Sequence, residues 1–400
     1  MLAHADLRSE FPDEDLSPRF VFDHPTIFSM AESLCGNCDC PYCAASRERD
    51  AGGASSGDDV TVAAPATSPG ERRVAEFTQL LGVEGPLKAP GDAAGGAYFM
   101  LAPTHFRRTT DGMQCVLVPG ATAWIGADSL ARGGCRPLAC EQPCHEVELS
   151  SFLIDVEPVS VGSYARFLNI VRPSQEQLLE WCVLPEYDER RACMPLELCE
   201  GGEWVPKDRV SPRWPMYLVS WFGANAYSLW ANGGDWRGYH GASASFLPTE
   251  AQWEYAARGA AVKSFPWGDG DATPELLQVS WGGPAPPNDI APQDLPLVDV
   301  NVELGANELG LRHMAGNVWQ WCRDSFDPGF YSTPAARSRD AWNSSGDLMK
   351  SERGGSWVGP ACLARSSYRR GRTAEAKGRC LGFRCVGDPP ATVETDDVEV

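Results

Sequence analysis

Four groups of side chains in this 400-residue chain have types and spacings that can do chemistry. Cys35, Cys38, Cys40 and Cys43 place four thiols within nine residues. Thiols at that density hold Zn²⁺ or an iron–sulfur cluster, close local disulfides, or stay free. A tetrahedral zinc site normally has a longer spacer between its Cys pairs, so that the chain can turn round the ion; here Asp39 alone separates them. Cys135, Cys140, Cys144 and His145 form a second candidate metal group, against the plainer reading of loop thiols ahead of a strand-starting His. Glu250 and Glu254 stand at helical spacing around Trp253. Paired carboxylates can divide acid and base work, but Glu250 directly after Thr249 also fits a capping-box acid with Thr249 as the cap. Finally, Arg365, Arg369, Arg370 and Arg372 gather four guanidiniums in an acidic chain. Such a cluster either recognises an anionic ligand or closes salt bridges with carboxylates of the fold. The six His residues show no pair at helical ligand spacing, so a non-haem iron centre built by this chain alone is not expected.

These groups need elements to position them, and the chain supplies short blocks rich in Trp and Gly. Gly310–Asp324 (GLRHMAGNVWQWCRD) holds two Trp, two Gly and an Asn. Upstream stand Leu247–Gly259 (LPTEAQWEYAARG), which reads as a helix, and Phe265–Gly268 (FPWG). Downstream follow Arg353–Trp357 (RGGSW) and Leu381–Cys385 (LGFRC). Earlier, Cys115–Gly120 (CVLVPG) reads as a strand and turn, and His145–Asp155 (HEVELSSFLID) as alternating strand. Glu157–Val161 with Tyr164–Phe167, and Trp214–Pro215 with Val219–Trp221 and Ala224–Tyr227, are further short blocks in this series. With 40 Gly and 32 Pro, the chain favours many turns and short strands over long helices.

In this order the blocks resemble the formylglycine-generating enzyme family, also called sulfatase-modifying factors, over about residues 113–387. The resemblance implies an α+β fold of distorted C-type-lectin-like topology, with short antiparallel strands, few helices and much irregular chain. It also implies a pocket, whose lining residues match Trp321 and Ser356, with Arg365 and Arg369 as further ligand-binding candidates and Ser356 and Cys362 as catalytic candidates. In the family two Cys bind Cu(I) and activate O₂, three and eight residues beyond the Ser of Gly-Gly-Ser. Those positions are Gly359 and Ala364 here, so copper is not expected, and Cys362 is one thiol in neither register. The segment Leu363–Arg370 (LARSSYRR) resembles the family's non-copper branch. Gln320 stands where a Glu normally helps bind structural Ca²⁺, leaving Gly316, Val318 and Gln320 as weak calcium candidates. The helix positions of the family's disulfides are Ser228 and Ala256, so Cys385 has lost its partner, while Cys182, Cys193 and Cys199 could pair among themselves. His313 occupies a usual Tyr position and is expected to be exposed or half-buried.

Four zones follow. Residues 1–34 resemble the C-terminal half of a polyketide-synthase acyl carrier domain, on Leu7-Arg8 and Phe20–Thr26 (FVFDHPT). Counting back from Leu7 puts the carrier serine at Met1, so phosphopantetheine is not expected. Residues 35–112 read as a largely disordered linker, with a helical patch at Val74–Leu81; residues 113–387 are the globular domain; residues 388–400 are a tail with five acids and no base. The net charge of −20 argues against nucleic acid or an anionic membrane as a general partner. Neither a membrane span nor a secretory signal is visible, so a cytoplasmic, reducing setting is expected. The leading reading is a ligand- or partner-binding domain linked to polyketide-type biosynthesis. The alternative is an O₂-dependent oxidoreductase whose metal is supplied in another way.

Overall fold

A computed structural model describes residues 98–128, 136–260, 262–280 and 290–390. The carrier-like segment, the thiols Cys35, Cys38, Cys40 and Cys43, the Val74–Leu81 patch, Cys135 and the tail beyond residue 390 lie outside the described residues. Within them the architecture is α+β with short strands and few helices.

Strands β1 (Tyr98–Ala102), β2 (His105–Arg108) and β3 (Gln114–Val118) form an antiparallel meander. β4 (Ala121–Ile125) pairs with β5 (His145–Leu149), and β6 (Phe152–Asp155) returns to pair with β3. β7 (Leu196–Leu198) and β8 (Trp204–Pro206) make a hairpin. β9 (Trp319–Ser325), β10 (Met349–Arg353), β11 (Arg369–Thr373) and β12 (Leu381–Gly382) build a second sheet in the order β11-β10-β9-β12, with β12 parallel to β9. β13 (Val386–Gly387) closes the first sheet against β6, in the order β1-β2-β3-β6-β13.

The linker expected over residues 35–112 therefore ends earlier, because β1 and β2 belong to the first sheet. Arg108 explains why: its fully buried guanidinium lies between Asp111 (2.6 Å) and Asp155 (2.9 Å). A buried charge of this kind has to be paired, and its partners sit in the loop after β2 and in β6. Tyr98 adds a second tie, its hydroxyl donating to Asn232 Oδ1 at 2.7 Å.

Four α-helices carry side-chain caps. α1 (Val161–Val171) is capped by Ser160, α2 (Gln175–Trp181) by Ser174, α3 (Trp221–Ala231) by Ser220, and α4 (Glu250–Arg258) by Thr249. Each cap oxygen accepts an amide hydrogen that the first turn cannot satisfy. In α4 the capping box is closed by Gln252, not by Glu250, which frees the Glu250 carboxylate for the site described below. Every residue of α3 is buried, as a helix apolar on all sides must be. Trp181, Trp221, Trp253, Trp319 and Trp321 are all fully buried, and they supply the apolar bulk that long regular elements would otherwise provide. The ten described cysteines form no disulfide. The pairing expected among Cys182, Cys193 and Cys199 is not made; Cys182 and Cys193 are free thiols buried in the same core, and Cys193 Sγ donates to the Ile290 carbonyl.

Candidate functional site

Successive side chains of a strand leave on opposite sides, so Glu352 and Arg353 of β10 point to different faces of the second sheet. Cross-strand pairing extends each into a row. Gln320, Arg353 and Arg369 line one face; Trp321, Glu352 and Arg370 line the other.

α4 packs on the first face. Glu250 accepts from Arg369 Nη2 (2.5 Å) and Nε (2.7 Å) and from Ser351 Oγ (2.6 Å), with Arg353 at 3.5 Å. One turn on, Glu254 is paired with both Arg353 and Arg258 and accepts the Gly126 amide at 2.8 Å. All of these groups are buried. Burial by itself would raise the pKa of Glu250, but the Arg369 and Arg353 guanidiniums outweigh it and hold the carboxyl below its ordinary range. Asp324 forms no ion pair among the described residues, and Arg369 lowers its pKa only as a minor contribution. It accepts the amides of Glu250 (2.9 Å) and Asn343 (3.0 Å), and burial together with repulsion from Glu250 pushes it up to about 7. Arg365, in the turn before β11, makes a two-pronged pair with buried Glu141, at 2.8 Å on each prong, and Ser367 Oγ donates to the same carboxylate at 2.7 Å. Arg365 and Arg369, expected as ligand-binding residues, are thus engaged by internal carboxylates. The paired acids Glu250 and Glu254 are likewise engaged by guanidiniums of the fold.

The turn after β10 carries the Gly-Gly-Ser motif. Gly354 and Gly355 have φ of +93° and +71°. A Cβ on Gly355 would lie 2.8 Å from the Ala364 Cα and Cβ, and one on Gly354 would lie 3.0 Å from the Trp253 ring, so both positions require glycine. Ser356 is buried, and its Oγ accepts the Val358 amide at 3.4 Å, which ties it into its own turn. Trp321 is fully buried and donates from Nε1 to the Val219 carbonyl at 3.0 Å. Cys362 sits in an apolar cluster with Phe265, Leu277, Val279 and Ala315. At the two positions of the family's copper thiolates, Ala364 faces the Gly355 backbone, and a Cβ on Gly359 would lie 2.8 Å from Leu363 Cδ1. The side chains present do not fit Cu(I), which needs soft thiolates at that place.

Calcium fares similarly. Gln320 Oε1 already accepts from Arg384 Nε (2.7 Å) and Trp253 Nε1 (3.0 Å), while its Nε2 donates to the His313 carbonyl (2.7 Å). Both lone pairs are committed and a guanidinium stands beside them, where a dication would be repelled. Without that oxygen, Gly316 and Val318 offer only main-chain carbonyls, and Ca²⁺ sites add carboxylates to such carbonyls. No group of three or more His, Cys, Asp or Glu suited to a metal exists among the described residues. In the second sequence group, the His145 ring bonds the Pro143 carbonyl at 2.9 Å and packs edge-on against Tyr331, while Cys140 Sγ lies 3.8 Å from the Arg369 carbonyl. His313, expected at or near the surface, is fully buried with a φ of +54°. Burial and the nearby Arg384 lower its pKa to about 4, so it stays neutral.

Sequence reasoning missed Glu141, Glu352, Arg353 and Arg384. Strand alternation was the available signal. It assigns odd and even residues of β10 and β11 to opposite faces, which separates Arg369 from Arg370 and Arg372.

Comparison with known proteins agrees with this fold. Residues 101–389 match the sulfatase-modifying factor enzyme 1-like domain. A formylglycine-generating enzyme of Streptomyces coelicolor is 31% identical over 320 residues, covering 72% of this chain and 93% of that protein. The inactive C-alpha-formylglycine-generating enzyme 2 of Bos taurus is 29% identical over 304 residues, covering 69% of this chain and 89% of that protein. Among solved structures, PvdO from Pseudomonas aeruginosa superposes with a TM-score of 0.52 at 20% identity, over 74% of this chain and all of that one.

Proposed function

The chain belongs to the sulfatase-modifying factor family, and from that premise we propose that it is a non-copper member whose domain binds a ligand or partner at the Trp321–Glu352–Arg370 face and does not oxidise cysteine. One observation carries this reading. The two positions that need thiolates hold Gly359 and Ala364, and their surroundings are filled by Leu363 and by the Gly355 backbone. The buried lattice of Arg353, Arg369, Glu250 and Glu254 then serves as a rigid floor under the sheet. A relative at 29% identity is itself named inactive, which supports loss of the oxidase chemistry within this fold. The carrier-like residues 1–34 support a polyketide-type biosynthetic setting.

The test is a copper and activity assay on the full chain. Cu(I) competition against a chromophoric chelator should show no tight site, and a Cys-x-Pro-x-Arg peptide should leave the reaction without aldehyde by mass spectrometry. Aldehyde formation that disappears in Cys362→Ser would overturn the proposal in favour of an O₂-dependent oxidase.

A further inference from the structure

The arginine cluster divides in the folded protein. Arg365 and Arg369 each meet a buried carboxylate of their own. Arg370 and Arg372 share one, Glu352, and both reach it through Nε. Glu352 is fully buried, while the two arginine side chains are 19% and 25% exposed. Lys350, directly opposite Arg372, adds a third cation to the same face, with its ammonium 4.5 Å from the centre of the Trp221 ring. Two guanidiniums therefore bracket one carboxylate, with Lys350 farther along the same face donating to Ser325 Oγ, in a protein whose net charge is −20.

The geometry is that of a prepared receptor. Residues 370 and 372 are two apart on one strand, so their stems are about 6.6 Å apart on one side of the sheet. Arg370 Cζ sits over the Trp319 indole, 3.8 Å from the ring centre, a cation–π contact that helps hold its fork in place. Its Nη2 is shut off from solvent and has no hydrogen-bond partner among the described residues. An orphaned donor on a guanidinium so placed is costly for the fold to keep. The register also joins Arg370 and Glu352 in one row with Trp321, the pocket residue of the family resemblance.

We propose that Arg370 and Arg372 form an oxyanion-binding site on the half-buried face of β11, taking a carboxylate or phosphate group of the ligand in their forks. Guanidinium forks match the planar oxygens of both groups. The inference rests on reading this face as the ligand-binding one, and it names the chemistry that the face selects.

Isothermal titration of the full chain with inorganic phosphate and, separately, with succinate tests it, at constant ionic strength made up with chloride. At least one anion should bind saturably to a single site, and the one that does identifies the source chemistry. Arg372→Gln should weaken binding at least tenfold, while Arg339→Gln, an exposed arginine elsewhere, should leave it unchanged. Glu352→Gln should tighten binding several-fold, because it removes the competing carboxylate while keeping its shape; a purely structural Glu352 would not produce that sign. Absence of saturable heat for both anions, or equal binding in Arg372→Gln, overturns the site. The copper and aldehyde assay addresses the broader reading separately: a protein that makes aldehyde yet loses anion binding in Arg372→Gln would refute the first proposal and keep the second.

Discussion

Replacing Arg369 with Leu should be among the most destabilising single changes in the domain. Its guanidinium gives Glu250 two short bonds, at 2.5 and 2.7 Å, and donates to the Cys140 and Asp327 carbonyls at 3.1 Å each. The substitution leaves Glu250 buried, with Arg353 at 3.5 Å as its nearest cation. Removing one partner of a buried ion pair typically costs about 3–5 kcal/mol, against a total domain stability of roughly 5–15 kcal/mol. In a domain of this size that corresponds to a fall in Tm of roughly 5–8 °C. Arg372→Gln provides the contrast. It lies three residues along the same strand, is one quarter exposed, and leaves Glu352 paired with Arg370, so it should cost at most about 1 kcal/mol. The double variant Arg369→Leu/Glu250→Leu should be more stable than Arg369→Leu alone, because it removes the stranded charge as well. Urea unfolding followed by far-ultraviolet circular dichroism measures all three. The reasoning is refuted if Arg369→Leu unfolds within about 1 kcal/mol of the wild type, or if the double variant is worse than the single one.

Two further predictions separate structural from binding roles. Trp253→Ala removes a fully buried indole whose Nε1 bonds Gln320 and whose ring Gly354 approaches closely, and it should cost about 3–5 kcal/mol. Ser356→Ala loses one 3.4 Å bond within its own turn and should cost less than about 1 kcal/mol in the same melts; a cost equal to that of the Trp deletion would make Ser356 part of the frame. His313 sets an acid limb. Its folded pKa of about 4 lies below the 6.5 of the unfolded chain, so its contribution is fully present above pH 6.5 and lost as pH falls towards 4, by roughly 3 kcal/mol. His313→Gln should flatten the stability profile between those values, and an unchanged profile would show that His313 does not govern it.

Much of the fold was legible in the residues themselves. The Trp and Gly blocks and the Thr249 cap of α4 are local facts, and local order along the chain preserves them. The glycine pair Gly354 and Gly355 could be read as a turn for the same reason. What the arginine cluster does could not be read this way. Arg365 finds Glu141 across 224 positions and Arg369 finds Glu250 across 119. A guanidinium carries no mark of which distant carboxylate it will meet. Its place at a usual Tyr position likewise left His313 expected as exposed or half-buried, whereas the packing of Arg384 and Gln320 around it decided its burial. The domain's start was placed too late because the family resemblance is read only from about residue 113, and it is strand pairing and the burial of Arg108 against Asp155 that make Tyr98–Arg108 part of the first sheet. Propensity and motif act over a few residues, so the sequence alone determined the family and its local turns. Ion-pair partners, burial and the division of Arg369 from Arg370 and Arg372 depend on which strands lie side by side and which face each residue takes. The tertiary structure alone decided those.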